Sequence, residues 1–271
     1  MGFTQHTSAP LFSIRYSAFM GSLFLQTDES RSAIAAYKAE IGEETVKKGY
    51  QGPGSESTKA VAALRAKGVL FGRMSGRLTG ARLIQRTVKE TGHQAPYLSV
   101  TLTDEDGKYN LSVPADARAT QLLIRKLANA KPELFTELNM FATFGQREGA
   151  DRPYADHGSS LKQGDQPVEV AGVNPKDVLA PQIEAAMHAL TGAGVELTDK
   201  ETRGKRRSKI ALQYHIDMLL EIEKRFSAYY EERDLPQETG AAQSTSDSGS
   251  ADPALNSTYG GFDDMDDDIP M

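Results

Sequence analysis

The sequence predicts an α+β chain built on a five-stranded antiparallel β-barrel, with added helices and an acidic C-terminal tail that does not fold. Three observations lead there. Residues 77–88, 97–103 and 109–113 read as strands, the latter two with the apolar alternation of half-buried ones. Apolar residues recur every three to four positions over 115–130 and 205–233, the period of helices. After Pro236 the composition changes abruptly: 237–261 is mostly Gly, Ser, Ala, Thr, Gln and Asp, too poor in large apolar groups to offset the entropy of ordering.

Taken in order, residues 11–25 read as two short buried strands with Arg15 in their midst. The run falls short of the roughly 20 apolar residues of a membrane helix and follows no basic stretch, so neither a membrane span nor a signal peptide is expected. Residues 28–48 read as a helix with Ile34, Tyr37, Ile41 and Val46 available for packing. The strand at 77–88 carries Gly80, which suits a sharp bend. In 97–103, Leu98, Val100 and Leu102 face the core, leaving Tyr97, Ser99 and Thr101 on the other face. Asp106-Gly107 is a hairpin turn signal. Tyr109 shares its face with Leu111 and Val113 and is expected inside. The helix at 115–130 turns Leu123, Ile124 and Leu127 inward. A strand at 135–144 puts Leu138, Met140, Ala142 and Phe144 on the core face, and Glu137, Asn139, Phe141 and Thr143 on the polar one. A fifth strand is expected at 167–172, and a short helix at 177–190 opening near Pro181.

Three strands, a helix and two more strands is the order of the oligonucleotide-binding (OB) barrel. The expected organisation is a binding domain over 1–235, with an OB-like core at about 65–175 flanked by helices at 28–48 and 177–233. A linker follows at 236–262, then an acidic tip at 263–271.

Charge sharpens this division. The net charge of −6 averages two unlike regions. Residues 236–271 hold eight acids and no base; taking these from the 37 acids leaves 29 against 31 bases in the rest. A slightly basic body with a strongly acidic tail points to nucleic acid or to partner docking. The chain has no cysteine, which excludes disulfides and thiol chemistry and agrees with a reducing cytoplasm.

Two constellations carry a binding function. From Ser57 to Lys89 there are eight bases (Lys59, Arg65, Lys67, Arg73, Arg77, Arg82, Arg86 and Lys89) and no acid, a surface able to neutralise phosphates. Phe71 lies within that run, and Tyr97 and Phe141 fall on polar strand faces, where an aromatic ring can stack on a base of any sequence. The DNA-binding set read from the sequence is therefore Lys67, Phe71, Arg73, Arg77, Arg82, Arg86, Lys89, Tyr97 and Phe141. A basic cluster, Arg203 to Lys209, is a second candidate contact.

The chain ends Asp263-Asp264-Met265-Asp266-Asp267-Asp268-Ile269-Pro270-Met271. This resembles the C-terminal tip of bacterial and bacteriophage single-stranded DNA-binding proteins, in which several Asp precede Ile-Pro-Phe. Met271 stands in place of the terminal Phe. The resemblance implies a protein that protects single-stranded DNA and recruits replication, recombination and repair proteins. Asp263, Asp264, Asp266, Asp267 and Asp268 would meet basic rims, and Ile269, Pro270 and Met271 would enter an apolar pocket. Met is flexible and polarisable enough to fill a pocket built for an aromatic. The barrel region does not follow the small bacterial form, which points to a phage-type relative in a host cytoplasm.

The five histidines are scattered without metal spacing, and no phosphate-binding loop of the Gly-x-x-x-x-Gly-Lys type is present. No enzyme, metal or cofactor is expected. Two other classes stay open at this level: a DNA-processing or recombination enzyme with a borrowed tail, and a transcription cofactor that binds single strands.

Overall fold

The computed structural model describes residues 9–87, 92–145, 153–171, 175–194 and 200–232. Its strands are β1 (Leu11–Ser17), β2 (Ser22–Gln26), β3 (Phe71–Gly72), β4 (Met74–Thr87), β5 (Gln94–Thr103), β6 (Lys108–Pro114), β7 (Phe135–Gly145), β8 (Tyr154–Gln163) and β9 (Gln166–Pro167). Its helices are α1 (Asp28–Ile41), α2 (Glu43–Lys47), α3 (Glu56–Ala66), α4 (Arg118–Leu127), α5 (Pro175–Gly192) and α6 (Lys200–Glu231). The expected tail and linker, and Lys89, lie outside the described residues. Among those described, no helix is long and apolar enough to cross a membrane.

The chain forms an α+β fold around one large sheet, ordered β3-β2-β1-β6-β5-β4-β7-β8-β9. Among the described residues the sheet has nine strands, where a five-stranded barrel is expected. The two short strands read from 11–25 are β1 and β2, and they join this sheet through a parallel pairing of β1 with β6. The sheet is therefore not wholly antiparallel. Ser22 of β2 also pairs with Phe141 of β7, so the pairings run β2–β1–β6–β5–β4–β7 and return to β2.

The alternation read from the sequence sets the core. Leu98, Val100 and Leu102 of β5 meet Leu111 and Val113 of β6, Leu78 and Ala81 of β4, and Leu138 and Met140 of β7. Leu123, Ile124 and Leu127 of α4 are fully buried against them, and Leu219, Ile222 and Phe226 of α6 complete the cluster. Tyr109 is only half buried and stacks on Phe12 with ring centroids 5.1 Å apart. The hairpin at Asp106-Gly107 forms as expected: Asp104 Oδ1 accepts from the amides of Asp106 (2.9 Å) and Gly107 (3.1 Å). Gly107 takes φ 155°, and a side chain there would meet the Pro10 carbonyl oxygen at 2.5 Å.

Residue 79 is the extra residue of a register shift between Leu78 and Gly80, where the sequence places its bend. Beyond that point the free edge of β4 is covered by chain rather than by a strand. The Leu78 amide donates to the Leu134 carbonyl at 3.1 Å, and the Leu83 amide donates to Glu223 Oε2 of α6 at 3.2 Å. Arg225 of α6 fastens the end of α4 by donating to the carbonyls of Leu127 (2.7 Å), Ala130 (3.0 Å) and Ala128.

Other boundaries shift for local reasons. The helix expected over 28–48 breaks into α1 and α2 at Gly42, whose φ of 81° ends α1. The basic stretch contains α3, whose Ala60 and Leu64 join a second core with Phe19, Phe24, Ile34, Tyr37 and Val46. Helix α5 begins at Pro175 and carries Pro181 inside it. The last long strand is β8, not 167–172; of the described residues of that segment, 167–171, only Pro167 is in a strand. Ala142 and Phe144 are not core: Phe144 is exposed and leans over Gly52.

His215 is buried in this scaffold and His157 is half buried. Tyr16 Oη and His157 Nδ1 are 2.6 Å apart, and His215 bonds the Ala211 carbonyl at 2.7 Å. Burial lowers the pKa of both; Asp156 partly opposes this at His157, while Arg125 adds to it at His215. Unfolded imidazoles take up protons near pH 6.5, before the folded ones do, so stability is complete above that pH and falls as pH drops through it. Denaturant midpoints between pH 8 and pH 5 should fall on acidification, and less so in His157→Gln and His215→Gln. A midpoint flat across that range would show that neither burial is felt.

Candidate nucleic-acid interface

The sheet surface opposite the main core is polar across β4, β5, β6 and β1, because alternation sends every second residue there. Ser99 of β5 lies between Arg82 of β4 and Ser112 of β6, and Thr101 lies between Gly80 and Asn110. Asn110 Nδ2 bridges Ser99 Oγ (2.9 Å) and Thr101 Oγ1 (3.1 Å). Thr79 and Thr103 join hydroxyls at 2.9 Å. Ser112 Oγ is buried with no hydrogen-bond partner among the described residues.

Arg15 enters this face from β1. Its neighbour Ile14 pairs with Leu111 and points into the core, so Arg15 falls on the side of Ser112. Its Nε donates to Gln26 Oε1 at 2.7 Å, and Ser13 Oγ bonds the same oxygen at 3.2 Å. Burial, with the Arg86 charge adding to it, pushes the Arg15 pKa down to about 10; the group stays cationic at neutral pH. Arg86 of β4 is also half buried, its pKa also lowered by burial, and its guanidinium lies 5.4 Å from the centre of the Tyr97 ring. No carboxylate among the described residues pairs with Arg15, Arg82 or Arg86. Two half-buried cations of like sign thus share a hydroxyl-rich face, an arrangement whose repulsion an anion would relieve.

The residues read from the sequence divide here. Arg82, Arg86 and Tyr97 come together on this face. Tyr97 is 8% exposed, however, because the Arg86 side chain from the next strand lies over its ring. It supports a cation and is not a free stacking surface. Arg73 and Arg77 sit further along, and the acids missing from their stretch of sequence reach them from β7 and the turn before it: Arg73–Glu137 at 3.0 Å and Arg77–Glu133 at 3.5 Å. Phe141 is on the polar face as expected, half buried across Gly158. Phe71 does not join them. It packs on the second core, 6.2 Å from the Phe24 ring and under Arg65. Lys67 caps the C-terminal end of α3, off the face. The tip residues Asp263 to Met271 lie outside the described residues.

Sequence reasoning missed Arg15 and Asn110. Arg15 was visible as the lone charge in an apolar run, a signal that a strand turns that position outward. Among the described residues no group of three or more His, Asp or Glu is placed to hold a metal ion. No protein-family model, no curated protein and no solved structure matches this chain.

Proposed function

We propose that this chain binds single-stranded DNA on the outer face of β4, β5, β6 and β1. The observation that carries the reading is the Arg15–Arg86 pair, half buried beside Tyr97 without a carboxylate to neutralise it. Such cations bind phosphate with little water to screen them. The OB-type reading supports this choice of face. β4, β5, β6, α4, β7 and β8 keep the strand-strand-strand-helix-strand-strand order, β4 pairs with both β5 and β7, and OB domains bind oligonucleotides on the sheet around their second and third strands. The N-terminal hairpin is then an addition that fills the gap between β6 and β7 and contributes Arg15.

The C-terminal resemblance supplies the biological setting: protection of single strands in replication, recombination and repair. Partner proteins dock on Asp263, Asp264, Asp266, Asp267, Asp268, Ile269, Pro270 and Met271, in a phage-encoded protein of the host cytoplasm. No catalytic step is assigned to any residue.

A titration of oligo-dT against duplex DNA of equal length at two salt concentrations tests the reading. Single strands should bind more tightly at both, with a log–log salt slope of about −0.7 per phosphate contacted. Equal or tighter duplex binding would remove the single-strand assignment.

A further inference from the structure

The side chain of Phe135 takes no part in either hydrophobic core. Phe135 opens β7 and is 53% exposed, against 38% for Phe144. Thr136, Leu138 and Met140 are buried, so alternation puts Phe135 on the outer face with Glu137, Asn139 and Phe141. Its strand partner is Arg77, and the next strand along carries Thr103.

The backbone leading to it is firmly held. Glu133 has φ 63°, a left-handed conformation uncommon for a residue with a side chain. Its amide donates to the Leu78 carbonyl at 2.9 Å. Its carboxylate accepts the Tyr230 hydroxyl at 2.6 Å and faces Arg77 at 3.5 Å. The Phe135 carbonyl accepts from the Gly164 amide at 3.1 Å. Strain of this kind persists where the surroundings over-determine it, and it clusters at binding sites. Here it holds an aromatic ring in water, where the ring contributes little to stability.

We propose that Phe135 is a stacking platform for one unpaired nucleobase. The inference rests on the single-strand reading above and gives that surface a second contact point. Between Phe135 and the Arg15 pocket the same face carries Thr79, Thr101, Thr103 and Asn110, groups able to hydrogen-bond sugar and phosphate. That chemistry favours a nucleotide over an apolar protein side chain. From the Thr103 row to Tyr97 the strand runs roughly 20 Å, so the two contacts engage different nucleotides of one strand.

The chain contains no tryptophan, so Phe135→Trp introduces a single indole on this platform. Oligo-dT should quench its fluorescence on saturation, whereas an abasic oligonucleotide of equal length should bind without quenching. Phe135→Ala should melt like the wild type and bind oligo-dT about 10- to 100-fold more weakly, the usual loss for one base–aromatic stack. If the wild type binds oligo-dT while the indole is unaffected, or Phe135→Ala binds normally, the platform is wrong and the wider reading stands. If the wild type binds no oligo-dT, both fall. A change in molecular mass with Phe135→Ala would instead make the ring a contact between copies and overturn the proposal.

Discussion

Changing Arg15 and Arg86 together to Gln is expected to lower affinity for oligo-dT about 100-fold at low salt and to flatten the log–log salt slope by about 1.4. The slope change follows from removing two phosphate contacts at about 0.7 each. The affinity change follows from where the charges lie. At an effective dielectric of about 20, a guanidinium 4 Å from a phosphate gains roughly 4 kcal/mol, and binding must first strip water from both. A net loss near 2.7 kcal/mol for the pair is a hundredfold. Folding should be little affected, because the substitutions end a like-charge repulsion while giving up the Gln26 bond and the contact on Tyr97. The comparison that makes the test specific is Arg73→Gln. Its partner Glu137 already offsets its charge at 3.0 Å, so affinity should change less than about threefold. Anisotropy titrations at several salt concentrations measure all of this. A double variant with unchanged slope would remove the arginine pocket from the binding surface.

The contrast between these arginines shows where sequence reading succeeds. Periodicity is a local signal, and what it controls was legible: the inward rows of β5 and α4, the turn at Asp106-Gly107 and the bend at Gly80. Strand β8 was not legible, because its inward residues include His157 and Ser159 opposite Ala142 and Met140, which leaves only Leu161 as an apolar mark. The place of the N-terminal hairpin was hidden too: the parallel β1–β6 ladder and the Ser22–Phe141 bridge join residues some hundred positions apart. The candidate site suffered in the same way. A stretch free of acid in sequence acquires Glu133 and Glu137 in space, so the basic run overstates the free charge. Arg15, far outside that run, becomes the most buried cation of the pocket. Alternation named the face of Tyr97 but not the Arg86 side chain that covers it.

That last point gives the sharpest expectation for a single residue. Tyr97→Ala should destabilise the protein by about 3–5 kcal/mol, the range for emptying a buried aromatic site. At about 2–4 °C per kcal/mol for a domain of this size, the melting temperature should drop by roughly 6–20 °C. The same variant should weaken oligo-dT binding by as much as Arg86→Gln does alone, because the ring acts through the guanidinium it supports. Combining Tyr97→Ala with Arg86→Gln should then cost little further affinity, since residues in one contact do not add. Tyr97→Phe keeps the ring under Arg86 and should retain most of both stability and binding. Calorimetry and anisotropy on these four variants separate a supporting ring from a stacking one. If Tyr97→Ala melts normally yet loses binding beyond the Arg86→Gln effect, the ring meets the base directly and Arg86 moves aside when DNA arrives.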